Sequence, residues 1–187
     1  MNTSIKTASG LYFDLADPRP HKVRFRDIAQ GLEALPRWTG HTNGTWSVAD
    51  HSVLTWRLLL ADEPDASIER QLHVLLHDAH EAYIGDASTP LKTLIPAFRS
   101  LAAHIQRAIL AYFRLPPPDE ETRTAVKVAD ARALEIEWRH FMHGTGRPIK
   151  AHIAQSIDEA GIPWDHPHLD HTPDEFTRVF HRLMRER

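Results

Sequence analysis

Apolar residues in this 187-residue chain recur at three- and four-residue spacing between proline and glycine stops, and no strand-like alternation of any length interrupts them. That pattern predicts an all-α fold. A short extended start, Leu11 to Leu15, ends at Asp17-Pro18-Arg19-Pro20 and leads to a first helix near Arg26–Leu35, stopped at Pro36. After the Gly-, Thr- and Asn-rich loop Thr39–Thr45, Ser47 is a good N-cap, with Asp50 at the third helical position, for a helix running to about Ala61. Pro64 to Ser67 opens a helix expected over Ile68–Tyr83, ending before Gly85. Another, over Ala97–Phe113, stops at the prolines Pro116–Pro118. Asp119 is placed to cap a long helix over Glu120–His143, closed by Gly144 and Gly146. Two further helices, near Ala151–Ala160 and Thr172–Arg185, flank a proline- and histidine-rich loop. The length suits a single domain over residues 1–187, large enough to bury roughly 70% of its unfolded surface.

Composition removes several function classes. The absence of cysteine excludes disulfides, iron–sulfur clusters, zinc ribbons and thiol nucleophiles. A formal net charge of −3 argues against duplex nucleic acid, whose binding needs massed cations. The basic stretches Arg19–Arg26 and Arg178–Arg187 read as solvated faces. No apolar run approaches the ~18 residues of a membrane span, and Met1–Gly10 lacks the apolar centre of a signal peptide, so the expected location is the cytoplasm. The unusual count is 14 histidines, the side chain that binds metals and moves protons near neutral pH.

Charged or titratable residues on apolar stripes narrow the search. His51 falls on the stripe Val48, His51, Leu54, Leu58 and so points inward. Leu72, Leu75, Leu76 and Ala79 form an apolar face, beside which run His73, His77 and His80, with Asp78 adjacent. Val126, Asp130, Ala133 and Glu137 share a face of the long helix, so Asp130 needs a cation or a donor for its carboxylate. Each residue alone has a bland explanation, such as a hydrogen-bonded core histidine or half of an ion pair. His140, His143, His166, His168 and His171 read as surface histidines, and His77-Asp78-Ala79-His80-Glu81 has the wrong order for a zinc protease. Taken together, His51, the adjacent pair His77-Asp78, and Asp130 offer two imidazoles and two carboxylates from separate helices. That set balances a divalent cation and leaves positions for water and a phosphate oxygen.

At these residues the chain resembles the HD-domain metal-dependent phosphohydrolases, whose pattern is H…HD…D on a helical bundle. His77 through Lys92, with Glu81, Gly85-Asp86 and Thr89-Pro90-Leu91-Lys92, resembles the HDxxE…GD…TPxK stretch of the single-metal 5′-deoxynucleotidases, and Arg37-Trp38 matches their Arg-Trp pair. The run from Gly10-Leu11-Tyr12-Phe13 through Asp27-Ile28-Ala29 to Trp38-Thr39-Gly40-His41-Thr42 and Ser47–Ser52 is closer to the compact branch that includes phage dATP triphosphohydrolases. The likeness covers about Gly10–Glu137 and leaves the C-terminal helices of 150–187 uncovered.

The resemblance implies a compact HD-domain helical bundle in which His51, His77, Asp78 and Asp130 hold one divalent ion of zinc, cobalt or manganese type, with magnesium where a polyphosphate substrate carries it. It implies Glu81 as the base that polarises the attacking water, and Asp86 as the group that protonates the leaving 5′-oxygen or orients Glu81. Arg37 and Lys92 meet phosphate oxygens, Trp38 meets base or sugar, and His41 and Asn43 stand near substrate. The reaction expected is cleavage of the 5′ phosphoester of a 2′-deoxynucleotide. It leans to a dNTP triphosphohydrolase releasing deoxynucleoside and triphosphate, since His21, Lys22, Arg24 and Arg26 could meet outer phosphates. The alternatives are a 5′-deoxynucleotidase acting on dNMPs, a non-catalytic nucleotide-binding regulator, and a single-strand nuclease, which the near-neutral composition supports poorly. Homo-oligomerisation is expected of such enzymes, and the C-terminal stripe Phe176, Val179, Phe180, Leu183 suits either a partner or its own chain.

Overall fold

The computed structural model describes residues 2–142, 169 and 172–187. Among the described residues its α-helices are α1 (Phe25–Ala34), α2 (Val48–Asp62), α3 (Ile68–Leu75), α4 (Glu81–Ile84), α5 (Thr89–Leu94), α6 (Ala97–Tyr112), α7 (Glu120–Phe141) and α8 (Glu175–Glu186), with short 3-10 turns at Pro20–Lys22 and Arg37–Gly40. The only strands among the described residues, β1 (Ser4–Lys6) and β2 (Tyr12–Asp14), pair antiparallel with Ile5 opposite Phe13. The extended start is therefore one arm of a hairpin, whose three-residue strands are too short for alternation to reveal. The helix expected near 151–160, together with His143, His166, His168 and His171, lies outside the described residues.

α2 is the axis of the bundle, with α1, α3, α7 and α8 packed around it. Its run from His51 to Trp56 is buried throughout, so its polar groups must find partners inside the protein. Ser52 and Thr55 return their hydroxyls to Val48 O and His51 O, and Trp56 Nε1 donates to Gln71 Oε1 at 3.0 Å. The expected cap is a full capping box: Ser47 Oγ accepts from Asp50 N at 3.1 Å, and Ser47 N donates to Asp50 Oδ2 at 2.8 Å. This fixes the first turn of α2, the turn that carries His51. One apolar core joins α1, α2, α3, α6 and α8 through residues such as Leu32, Val53, Leu72, Leu75, Ile109 and Phe180. A smaller one, with Trp46, Leu54, Leu58, Ala133 and Ile136, seals α2 to α7.

Three expectations need correction or completion. The helix expected over Ile68–Tyr83 is α3, a tight turn over Leu76–His80, and α4. Side chains take the carbonyls that would continue the ladder: His77 Nδ1 meets Val74 O at 2.8 Å, and Gln106 Nε2 donates to Leu76 O at 2.7 Å. The backbone tightens to three-residue bonds, Ala79 N to Leu76 O and Glu81 N to Asp78 O. α5 was not expected, and it buries no residue, so it has no apolar stripe to read. The C-terminal stripe is used within the chain. Phe176, Val179, Phe180 and Leu183 are all buried, and Phe180 stacks on Phe25 with centroids 4.0 Å apart. Among the described residues no helix is long and apolar enough to cross a membrane.

Candidate metal centre

Three elements bring the histidine–aspartate set to one point. α2 supplies His51, the Leu76–His80 turn supplies His77 and Asp78, and α7 supplies Asp130. His51 Nε2 lies 3.3 Å from His77 Nε2, 3.8 Å from Asp78 Oδ2 and 3.2 Å from Asp130 Oδ1. His77 Nε2 lies 3.2 Å from Asp78 Oδ2 and 3.8 Å from Asp130 Oδ1. Donor atoms at about 2.1 Å from a shared ion stand about 3.0–3.4 Å apart, so the close group His51, His77 and Asp78 fits a divalent cation with little adjustment, with Asp130 Oδ1 standing beside both imidazoles. The break after α3 is what permits this, since His77 uses Nδ1 on Val74 O and turns Nε2 to the cluster. Asp130 is not sunk among apolar neighbours as its stripe suggested. Its side chain is 46% exposed and opens onto a cleft, while Ala129 and Ala133 beside it are buried.

The electrostatics describe a site that draws cations. Burial and Arg37 oppose a charged His51, yet Glu137 and Asp130 outweigh them and push its imidazole up to about 10. Burial likewise opposes a charged His77, but Asp78 overcomes it and raises its proton affinity. Asp78 and Asp130 resist the upward push of burial and lie below the ordinary carboxylate range because the imidazoles face them. Protons on the two imidazoles thus hold the place where a divalent ion would balance the same carboxylates.

Glu81 heads α4 and is 1% exposed. Burial first, then Asp78 and Asp86, push its carboxyl up to about 8 against the pull of Lys92 and Arg37. Lys92 Nζ sits 3.3 Å from Glu81 Oε1, while Oε2 is buried with no hydrogen-bond partner among the described residues. Glu81 also belongs to a second close group of donor atoms with Asp78 and His80.

A cleft of about 440 Å³ opens beside the cluster, lined by Asp78 and Asp130 together with Arg37, Trp38, Asp86 and Lys92. Arg37 Nη1 stands 3.7 Å from Asp86 Oδ2, and both side chains are almost wholly buried. The backbone enters the left-handed region at Trp38 (φ 56°, ψ 29°) and Thr39 (φ 55°, ψ 28°), a strained conformation for side-chain-bearing residues. His41 and Asn43 are exposed and do not line this cleft, nor do His21, Lys22, Arg24 or Arg26.

Glu137 is the residue that sequence reasoning left without a role. Its fully buried carboxylate accepts from Trp46 Nε1 at 2.9 Å on Oε1, and from Arg37 Nη2 and Trp38 Nε1 at 3.1 Å each on Oε2. His51 Nδ1 stands 2.6 Å from Oε1. Burial would raise this carboxyl, but Arg37 and His51 hold it down to about 2. The signal was present: Glu137 lies two helical turns beyond Asp130, where the stripe calls for an apolar residue.

Fold and site define the class, a helical protein whose histidine–aspartate cluster can hold a divalent ion beside a cleft. Two relatives give the family. The chain is 36% identical over 133 residues to the uncharacterized protein RCAP_rcc00048 of Rhodobacter capsulatus, covering 69% of this chain and 68% of that protein. It is 36% identical over 135 residues to the uncharacterized protein YfdR of Escherichia coli strain K12, covering 72% and 70%. The chain belongs to the family of these proteins. No family model matches it. The solved structure of the cyanophage S-2L HD phosphohydrolase DatZ, bound to dA and one catalytic Zn2+ ion, covers 88% of this chain and 98% of its own, at TM-score 0.49 and 18% identity.

Proposed function

We propose that this protein is an HD-domain phosphohydrolase that cleaves the 5′ phosphoester of 2′-deoxynucleotides. The observation that carries the reading is the convergence of His51, His77, Asp78 and Asp130, each aspartate having an oxygen 3.2–3.8 Å from both imidazole Nε2 atoms, on a cleft that also holds Arg37, Trp38, Asp86 and Lys92. The sequence resemblance supplies the substrate class.

In this reading those four residues hold one divalent ion. Such an ion, when bound, supplies Lewis-acid polarisation of a phosphoryl oxygen. Arg37 and Lys92 offer fixed cations to the remaining phosphate oxygens, and Asp86 keeps Arg37 in the cleft wall. Glu81 accepts the proton of the attacking water. Its burial, with Asp78 and Asp86 nearby, raises its proton affinity above that of an ordinary glutamate, which strengthens it as a base. Asp86 is the acidic group left to face the departing 5′-oxygen. Trp38 presents an indole to sugar or base, held in place by its bond to Glu137. The basic residues of the N-terminal stretch do not line the cleft, so the triphosphate form of the reaction loses that support and stands beside the monophosphate form.

The test is product analysis of the purified protein with zinc, cobalt or manganese, offered dNMPs, dNTPs and the matching ribonucleotides. Deoxynucleoside plus intact triphosphate from dNTPs is the expected result if outer phosphates are tolerated. Deoxynucleoside from dNMPs alone places the activity in the 5′-deoxynucleotidase branch. Nucleotide binding with no deoxynucleoside released from any of them, with metal verified bound, overturns the enzyme reading in favour of a binder. Glu81→Ala should keep the metal and lose about 10²–10⁴-fold in turnover.

A further inference from the structure

We propose that Glu137 is a positioning residue that joins the metal side of the site to the substrate side: one carboxylate fixes the tautomer of His51 and anchors Arg37 and Trp38. The inference rests on the metal-centre reading above and on the polarity of four contacts. Arg37 Nη2, Trp38 Nε1 and Trp46 Nε1 can only donate, and all three end on Glu137. With Trp46 also on Oε1, His51 Nδ1 at 2.6 Å completes a set of donors around an acceptor-only group. A proton on Nδ1 leaves the Nε2 lone pair of a neutral His51 free, and Nε2 is the atom facing His77, Asp78 and Asp130.

The other oxygen works on the cleft. Arg37 and Trp38 are consecutive residues, the second in a left-handed conformation, and both are tied to Oε2 at 3.1 Å. Shifting the carboxylate therefore disturbs His51 and the cleft wall together.

Glu137→Gln separates this role from mere packing, because an amide keeps the shape but offers only one oxygen. Its NH2 group must then face N–H donors on one side. Metal affinity is read directly, by competition for Zn2+ with a chromophoric chelator, on wild type and variant that melt as folded proteins. The expected result is a loss of about 10- to 100-fold in Zn2+ affinity. Wild type that does not bind Zn2+ refutes the metal-centre reading, whereas wild type and variant binding equally tightly refute the role of Glu137 alone. If the variant does not fold, nitrogen-15 NMR of histidine-labelled, Zn2+-loaded wild type decides. His51 with its proton on Nδ1 and metal on Nε2 supports the proposal, and the reverse assignment overturns it. At saturating metal the variant should still show a raised KM. Full recovery of kcat/KM by excess metal would remove the link to Arg37 and Trp38.

Discussion

Glu81 shows at the scale of one residue how a site can cost stability. An ordinary glutamate titrates near 4.5, and burial carries this one to about 8, so the folded protein holds the proton more tightly than the unfolded chain. The stability tied to that proton is whole below about pH 4.5 and is lost as pH rises through about 8. Glu81→Gln removes the titration while keeping the shape. Metal-free protein should therefore melt at a higher temperature as the Gln variant than as wild type at pH 9, with the two nearly equal at pH 4. Thermal melts in chelator at both pH values check this, and a variant no more stable at pH 9 would contradict the burial cost assigned to Glu81. Lys92 pulls the same group the other way. Lys92→Ala should push Glu81 higher and move the acidic limb of kcat/KM to higher pH, besides weakening phosphate binding. A limb that stays in place in the pH–rate profile would separate Lys92 from the base.

Among the elements, α4 is held where it is by a close approach to α1. A Cβ built on Gly31 would lie 2.9 Å from Ala82 Cβ and 3.0 Å from its backbone, so this mid-helix glycine exists to let α4 approach. Helix propensity favours Gly31→Ala by about 1 kcal/mol, while overpacking costs about 1–3 kcal/mol, and the rigid backbone contact makes the steric cost win. The substitution should lower the melting temperature and the turnover together, because α4 begins with Glu81. Adding Ala82→Gly should restore both in part; failure to do so would place the damage elsewhere. Much at this scale was legible in the sequence. Ser47 and Asp50 announced the start of α2, Asp119 the start of α7, and the inward place of His51 followed from its stripe. The break between α3 and α4 was not, because Leu72, Leu75, Leu76 and Ala79 keep an unbroken buried face while Gln106, distant in sequence, takes the Leu76 carbonyl. Glu137 escaped for a similar reason. Its partners Arg37, Trp38, Trp46 and His51 come from segments that no local pattern connects to α7.

For the molecule as a whole, the question is what the C-terminal helix does. Its apolar stripe could have served assembly, and the structure spends it on the chain's own core. Phe180 stacks on Phe25 and packs against Phe113, and α8 lies on α2 and α3, the helices that present His51 and lead to His77. At the end of the helix, Arg187 donates to Phe113 O at 2.9 Å and to Arg114 O at 2.8 Å, a clasp that closes α8 onto the loop after α6. α8 is thus a buttress for the elements of the site. Phe180→Ala should cost about 3–5 kcal/mol, the usual range for emptying a buried aromatic position. For a chain of this length that is a fall in melting temperature on the order of 10 °C. Below the new transition Zn2+ should still bind, since the ring partners of Phe180 are Phe25, Phe113 and His181, none of them a donor residue. The mass measured by sedimentation should match wild type, because a stripe consumed internally has no surface left to give a partner. A change in assembly state with little loss of stability would reverse the assignment and return the stripe to an intermolecular role.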